Sequence, residues 1–324
     1  MERGRQKILL FFFIPVLLLF VIGLVFGPLG SSFLGKEPPP IFRVPRPHVA
    51  LPSEPILHVG SFPIFGSFSI TNTLIASWFT IIVLVGLSYL CTRKMKLIPG
   101  RRQGIAEAVV EGLLNFVESV AGNKHARMIF PGVATIFIYV ISNAYLALLP
   151  VFGTIGLRHL GSHGHESEFI SIFRSANTDL NVPLSIAIVS FIFVETWGMR
   201  AIGVSHYLSE FINVRQFLQG LKELFTLKLK AGLMNIVFGF ISLFVGALEI
   251  FSHLTRMLSF TFRLFGNMTA GEILILVSCF LIPLVFTLPF YGLELLIGMI
   301  QALIFSGLTL VFGTIAVSPH EESE

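Results

Sequence analysis

Five ionisable residues share one apolar stretch of this chain: Glu249, His253, Arg256, Arg263 and Glu272. An ionisable group near the centre of a bilayer costs at least about 2.5–3.5 kcal/mol on insertion scales. Such groups face protein or water, and they mark ion paths. A structural ion pair joining two helices is the alternative for any one of them, and a weaker account of the whole set. An arginine keeps its charge at every useful pH, so it is a poor proton carrier and a good electrostatic barrier. A carboxyl group held in low dielectric takes up and releases protons near neutrality, which suits it to carrying them. These residue types point to proton movement, with carriers and a barrier in different places.

Spacing sharpens the point. Glu249, Arg256 and Arg263 are seven apart, which at 100° per residue returns each to within about 20° of the last. Asn267 stays near that stripe, whereas Glu272, nine residues after Arg263, falls on the opposite face. The arginine and that carboxylate are separated by about 13 Å along a helix axis. Gly266, Ala270 and Gly271 would let a neighbouring helix approach closely. Further on, Glu294 and Gln301 are again seven apart and share a face. His253, four after Glu249, is either a proton group or a packed histidine bonded to a neighbour.

The elements that must position these residues are membrane helices. Apolar residues make up 54% of the 324 and charged residues 12%, about half the usual charged share. A water-facing surface cannot be built from so few charges. Residues 8–26 carry no charge and follow Arg3, Arg5 and Lys7, the pattern of a signal anchor or a signal peptide. A retained anchor is expected over 1–29. Residues 30–69 hold a proline-rich segment, expected to be extended and outside the membrane. Residues 70–91, 128–150 and 182–199 are long and apolar enough to span. Residues 104–120 are too charged to span and place Ile105, Val109, Leu113, Phe116 and Val120 at helical spacing, which predicts an amphipathic helix on the membrane surface. From 233 to 317 the chain is almost continuously apolar. The stretch 235–277 alone would make about 64 Å of helix, twice the hydrocarbon thickness, so it either breaks or tilts steeply.

Orientation follows from lysine and arginine counts. Residues 1–7 carry three, 92–127 seven and 200–230 five, against three in 30–66 and two in 151–181. The amino and carboxyl termini are therefore expected in the cytoplasm, with the proline-rich segment and the loop holding His159, His163 and His165 outside. That loop could bind a metal but has no cysteine or second anchored histidine pair to support it; a solvated polar loop is the expectation, and no metal is assigned. Cys91 and Cys279 both lie in apolar runs and form no disulfide framework. No glycine loop for nucleotides is present, no internal repeat supports an inverted-repeat transporter, and nothing points to nucleic acid.

Arg263-Leu264-Phe265-Gly266-Asn267-Met268, followed by Ala270-Gly271-Glu272, resembles the signature of subunit a of the rotary F-type ATP synthase. Glu249, Arg256 and Ser259 fall at the family's spacing before the arginine. Thr178-Asp179-Leu180-Asn181, Ile70-Thr71-Asn72-Thr73, Ile300-Gln301-Ala302 and the tail from Ser318 are similar to further family segments. The resemblance covers residues 56–324 and implies roles position by position. Arg263 would face the carboxylates of a ring of c subunits and block direct leakage. Glu272 would relay protons in an outer half-channel, with Asp179 toward its entrance. Asn267 and Gln301 would be polar channel residues near the arginine, and Glu249 would belong to the inner half-channel. Glu294 stands where some members have histidine, and with Glu272 it would form an acid pair able to share protons. Asn143 is seven residues before Pro150, where the family often has an asparagine six before. The amino-terminal anchor and proline-rich segment have no counterpart in many members.

The implied fold is all-α: a polytopic membrane protein of about six transmembrane helices plus one membrane-surface amphipathic helix, with the last two long helices tilted. Residues 70–324 would form the subunit-a-like membrane core. The implied activity is that of a proton-translocating stator in a cell inner membrane, without cofactor and without catalysis of its own, ATP chemistry residing in partners. Those partners would be the c-subunit ring, the peripheral-stalk b subunit and the rest of the complex. Two other classes stay open at this stage: a self-contained proton-coupled transporter or channel, and a haem- or quinone-binding redox subunit.

Overall fold

A computed structural model of the chain describes residues 2–35, 39–40, 52–62, 66–159, 168–204, 207 and 229–318. His163, His165, most of the basic loop after Arg200, and the acidic tail of Glu321, Glu322 and Glu324 lie outside the described residues, as does much of the proline-rich segment. The described elements are overwhelmingly helical. In chain order they are α1 (Glu2–Phe26), α2 (Pro28–Leu34), β1 (Pro55–Phe62), β2 (Gly66–Thr71), α3 (Asn72–Thr92), α4 (Arg101–Ala147), β3 (Gly156–His159), β4 (Glu168–Ser171), α5 (Asn181–Ile202), α6 (Leu229–Leu281) and α7 (Leu288–Val317). Helices α3 to α7 are each long and apolar enough to cross a membrane. Counting the bent pair Phe13–Phe26 and Pro28–Leu34, which turns by 53°, as one more span gives six.

Two short antiparallel hairpins were not expected. One pairs Pro55 with Thr71 through to Phe62 with Gly66, and the other pairs Gly156 with Ser171 through to His159 with Glu168. The first puts strand within the proline-rich segment, and α2 extends regular helix to Leu34.

Helix α4 joins the expected surface helix and the next span, broken at Gly122, whose φ of 69° and ψ of 157° suit a residue without a Cβ. Its buried stripe differs from the expected one. Leu113 is buried, but Ile105, Val109 and Val120 are exposed, and Val117 and Ala121 take their place in the core. The core dictates this change: it engages only the later turns of the segment, on the face one residue round from Val120.

Helix α6 is continuous over 53 residues, about 80 Å of rise. It does not break, so a membrane about 30 Å thick can hold it only at a tilt or partly outside the hydrocarbon. Only 11% of its most apolar stretch is buried within the chain. Met234, Phe240, Phe244, Phe251 and Phe262 are each more than half exposed, a surface that water would not tolerate and that fits lipid or a partner. Pro283 follows the helix end, and Leu284 holds a φ of 82° at the turn into α7.

The chain divides into two compact units. The first holds residues up to Ile82, Ile141–Asp179 and Leu264–Gln301, and the second holds Val83–Val140, Leu180–Arg263 and Ala302 onward. In the first unit α1 docks on the α6–α7 turn. A Cβ on Gly23 would meet the Pro283 carbonyl, and one on Gly27 would meet the Pro283 ring and the Leu281 carbonyl. Phe20 packs on Phe286 at 6.0 Å between ring centroids. In the second unit the core gathers around Trp197 with Val117, Ile129, Val133 and Leu310. Gly132 and Gly313 give the indole room, since a Cβ on either would come within 2.7 Å of it. Phe193 stacks on the indole at 5.6 Å and 7°.

Candidate functional site

The first unit brings together two of the expected acids. Glu272 on α6 and Glu294 on α7 both line a cavity of about 140 Å³, along with Arg174, Ser171, Ser175 and Tyr291. Glu294 is only 7% exposed. Its carboxylate occupies the place a side chain at residue 271 would take, so the glycine there lets it lie against the α6 backbone beside Glu272. Of the three small residues at the expected close-approach surface, Gly271 alone serves that purpose among the described residues; a Cβ on Gly266 would meet none of them within 4 Å, and Ala270 is exposed.

Arg174, in the segment after β4, grips Glu272. Its Nε donates to Oε1 at 3.3 Å and to Oε2 at 3.4 Å, while Nη2 donates to Oε2 at 3.4 Å and Nη1 to the Pro52 carbonyl at 3.3 Å. Such a fork on a carboxylate fixes geometry as well as charge. In the sequence Arg174 counted only as a loop charge. Its place five residues before Asp179, beside the polar Thr178-Asp179-Leu180-Asn181 run, was the available signal.

Asp179 is buried at the end of the same unit. Thr73 Oγ1 donates to its Oδ2 at 2.8 Å, and the Thr71 and Thr73 hydroxyls are 2.9 Å apart. Nearby in the chain, Asn177 is fully buried, and its side-chain amide meets no hydrogen-bond partner among the described residues. Asn143 is also buried, its Oδ1 accepting from Thr80 Oγ1 at 2.7 Å. Gln301 is buried and Asn267 half-buried, and neither lines the cavity.

The second unit holds the other cluster. His253 Nδ1 on α6 lies 3.1 Å from Glu195 Oε1 on α5. The Phe191 ring meets the imidazole edge-on, 5.7 Å between centroids. Arg256 stands over the Phe312 ring at 3.3 Å to its centroid, a cation–π contact with the α7 aromatic. Glu249, half-buried one turn before His253, and Glu195 both act on Arg256 electrostatically. Glu195 went unremarked in the sequence. The rule that singled out its α6 counterparts, a carboxylate inside an apolar span, would have found it.

Arg263 is half-buried on α6 and is the last residue of the second unit along that helix. Its Nη2 donates to Ser259 Oγ at 3.4 Å, one turn back. The same helix thus carries ionisable residues on both sides of Arg263 in sequence, in two separate clusters.

Residues 74–314 match the family model described as ATP synthase A chain. A protein of Gloeobacter violaceus named ATP synthase subunit a is 31% identical over 251 residues, which is 78% of this chain and 85% of the relative. One of that name from Solidesulfovibrio magneticus is 29% identical over 272 residues, 83% of this chain and 94% of its own. Another from Campylobacter jejuni is 30% identical over 232 residues, 71% and 83% respectively. Together with the predominantly helical, multi-span fold, these matches mean that the chain belongs to the ATP synthase subunit a family.

Proposed function

We propose that this chain is the stator half of a proton-driven rotary motor. Protons reach Glu272 and Glu294 through an outer half-path with Asp179 toward its entrance, and pass to a carboxylate on a ring of c subunits. After nearly a full turn of the ring they leave by an inner half-path past His253 and Glu249. Arg263 attracts the ring's deprotonated carboxylate and keeps the two half-paths apart. Asn267 and Gln301 are polar neighbours of that step. The observation that carries this reading is the pair of ionisable clusters on α6, one in each compact unit, with Arg263 between them in sequence. The outer path gains support from the cavity that Glu272, Glu294 and Arg174 border and from buried polar atoms such as those of Asn177, which proteins normally satisfy with water.

The partners are the c-ring, the peripheral-stalk b subunit and the remainder of the complex, where the ATP chemistry takes place. The membrane is the cell inner membrane, with both termini in the cytoplasm, residues 1–29 as an anchor and 30–69 outside. The deciding experiment compares native and Arg263→Ala complexes in inverted vesicles. Loss of ATP-driven proton pumping with the complex still assembled is the expected result, and a gain of passive leak would add to it. Pumping at the native rate would remove the reading and favour a self-contained transporter.

A further inference from the structure

Glu195 has no role in the path just described. It sits on α5 within an apolar run, yet its side chain is only 15% exposed and that of His253 only 13%. A cavity of about 20 Å³ opens beside His253, lined also by Arg256, Phe191, Ser190 and Phe312 but not by Glu195, which is room for roughly one water. Among the described residues, the groups that act electrostatically on Arg256 are the carboxylates Glu195 and Glu249 and the phenol of Tyr207. Two carboxylates against one guanidinium leave one negative charge uncompensated. A partly buried site of lowered dielectric penalises that charge. A single proton on the imidazole or on the carboxylate brings the group to neutrality.

We propose that Glu195 and His253 form a proton-holding dyad that this chain adds to the Glu249 side of the path. The inference rests on the proton-driven reading given above. Along α6, His253 is ten residues from Arg263 and four from Glu249, or about 15 Å and 6 Å of rise. A proton leaving the neighbourhood of Arg263 cannot cross that first distance in one transfer, and the dyad supplies a stopping place near its end. A proton arriving at Nε2 of the imidazole moves the Nδ1 proton to Oε1 of Glu195. The carboxyl then releases it toward Glu249, which leaves the ring protonated on Nε2, and exchange of that proton to Nδ1 through a water in the cavity beside His253 restores the starting tautomer. One proton enters and one leaves, with no net charge stored.

A purely structural ion pair makes the opposite prediction, because a buried pair replaced by apolar residues of similar size is often neutral or stabilising. The test is therefore the double variant Glu195→Leu/His253→Leu in the assembled complex. ATP-driven pumping and passive proton flux through vesicles stripped of the soluble sector are measured per assembled complex. The dyad predicts a loss of at least tenfold in both. Native rates in the apolar variant would overturn it. Should that variant not assemble, Glu195→Gln decides: a changed pH profile of passive flux supports the dyad, and a native profile and rate overturn it. Arg263→Ala in the same vesicles keeps the two readings distinct. If Arg263→Ala is inactive while the apolar pair pumps normally, only the dyad falls; if Arg263→Ala pumps normally, the motor reading falls first.

Discussion

Gly271→Ala isolates the acid pair without touching either acid. A Cβ at residue 271 would find all three of its nearest neighbours within the Glu294 carboxyl group. To restore ordinary contact distances that carboxylate must retreat by on the order of 1–2 Å. The colliding atoms are the free end of a side chain, so the backbone need not move. The overpacking cost then falls toward the low end of the usual range of about 1–3 kcal/mol. Replacing glycine by alanine inside a helix returns roughly 0.5–1 kcal/mol of that, leaving stability and assembly close to native. Transfer geometry is less forgiving, since a displacement of about 1 Å can cost on the order of 100-fold. Pumping by inverted vesicles, normalised to assembled complex, is expected to fall by about tenfold or more. Shortening the acid should relieve the collision, so Gly271→Ala/Glu294→Asp should pump better than Gly271→Ala alone. Gly112→Ala, where a Cβ would meet nothing, should behave as native. Native pumping by Gly271→Ala would refute the idea that Glu294 must lie against α6 beside Glu272.

Two further outcomes follow from the same contacts. Arg174→Gln should slow pumping, Arg174→Lys should recover part of the rate because it keeps the charge and loses the fork, and combining Arg174→Gln with Glu272→Gln should cost less than the two separate losses, by a coupling of about 0.5–3 kcal/mol; strictly additive losses would deny the pair a functional role. For sidedness, in a cysteine-free background an impermeant maleimide should label Ser53→Cys on intact cells and Leu97→Cys only in inverted vesicles, and the reverse pattern would invert the proposed topology.

What the sequence made legible is what a bilayer makes expensive. Arg263 and Glu272 stood out because charges in apolar runs carry a large cost wherever they are placed. The spans stood out because backbone groups in lipid must be satisfied within each segment. The hairpins did not, because their strands are short: β3 and β4 have four residues each, too few to build an alternation, and β1 is interrupted by irregular pairing near Gly60. Nor could hydropathy decide between a broken α6 and a continuous one, since both bury and expose the same residues.

The partners of the charged groups were the least visible part, and the reason is physical rather than a matter of missing motifs. Thr73 reaches Asp179 across 106 residues of chain, and Arg174 reaches Glu272 across 98. No local periodicity encodes such distances. Gly266 and Gly271 make the limit concrete. Both are places where another helix could come close, yet among the described residues Gly271 alone has a neighbour there, and that neighbour is a carboxylate. The cost of burying a charge announces that a partner must exist. Its identity depends on which helices become neighbours, and that is decided by packing such as Trp197 between Gly132 and Gly313, at positions that carry no charge at all. The residues that set the chemistry and the residues that set its geometry are therefore different residues, and reading the first from a sequence does not deliver the second.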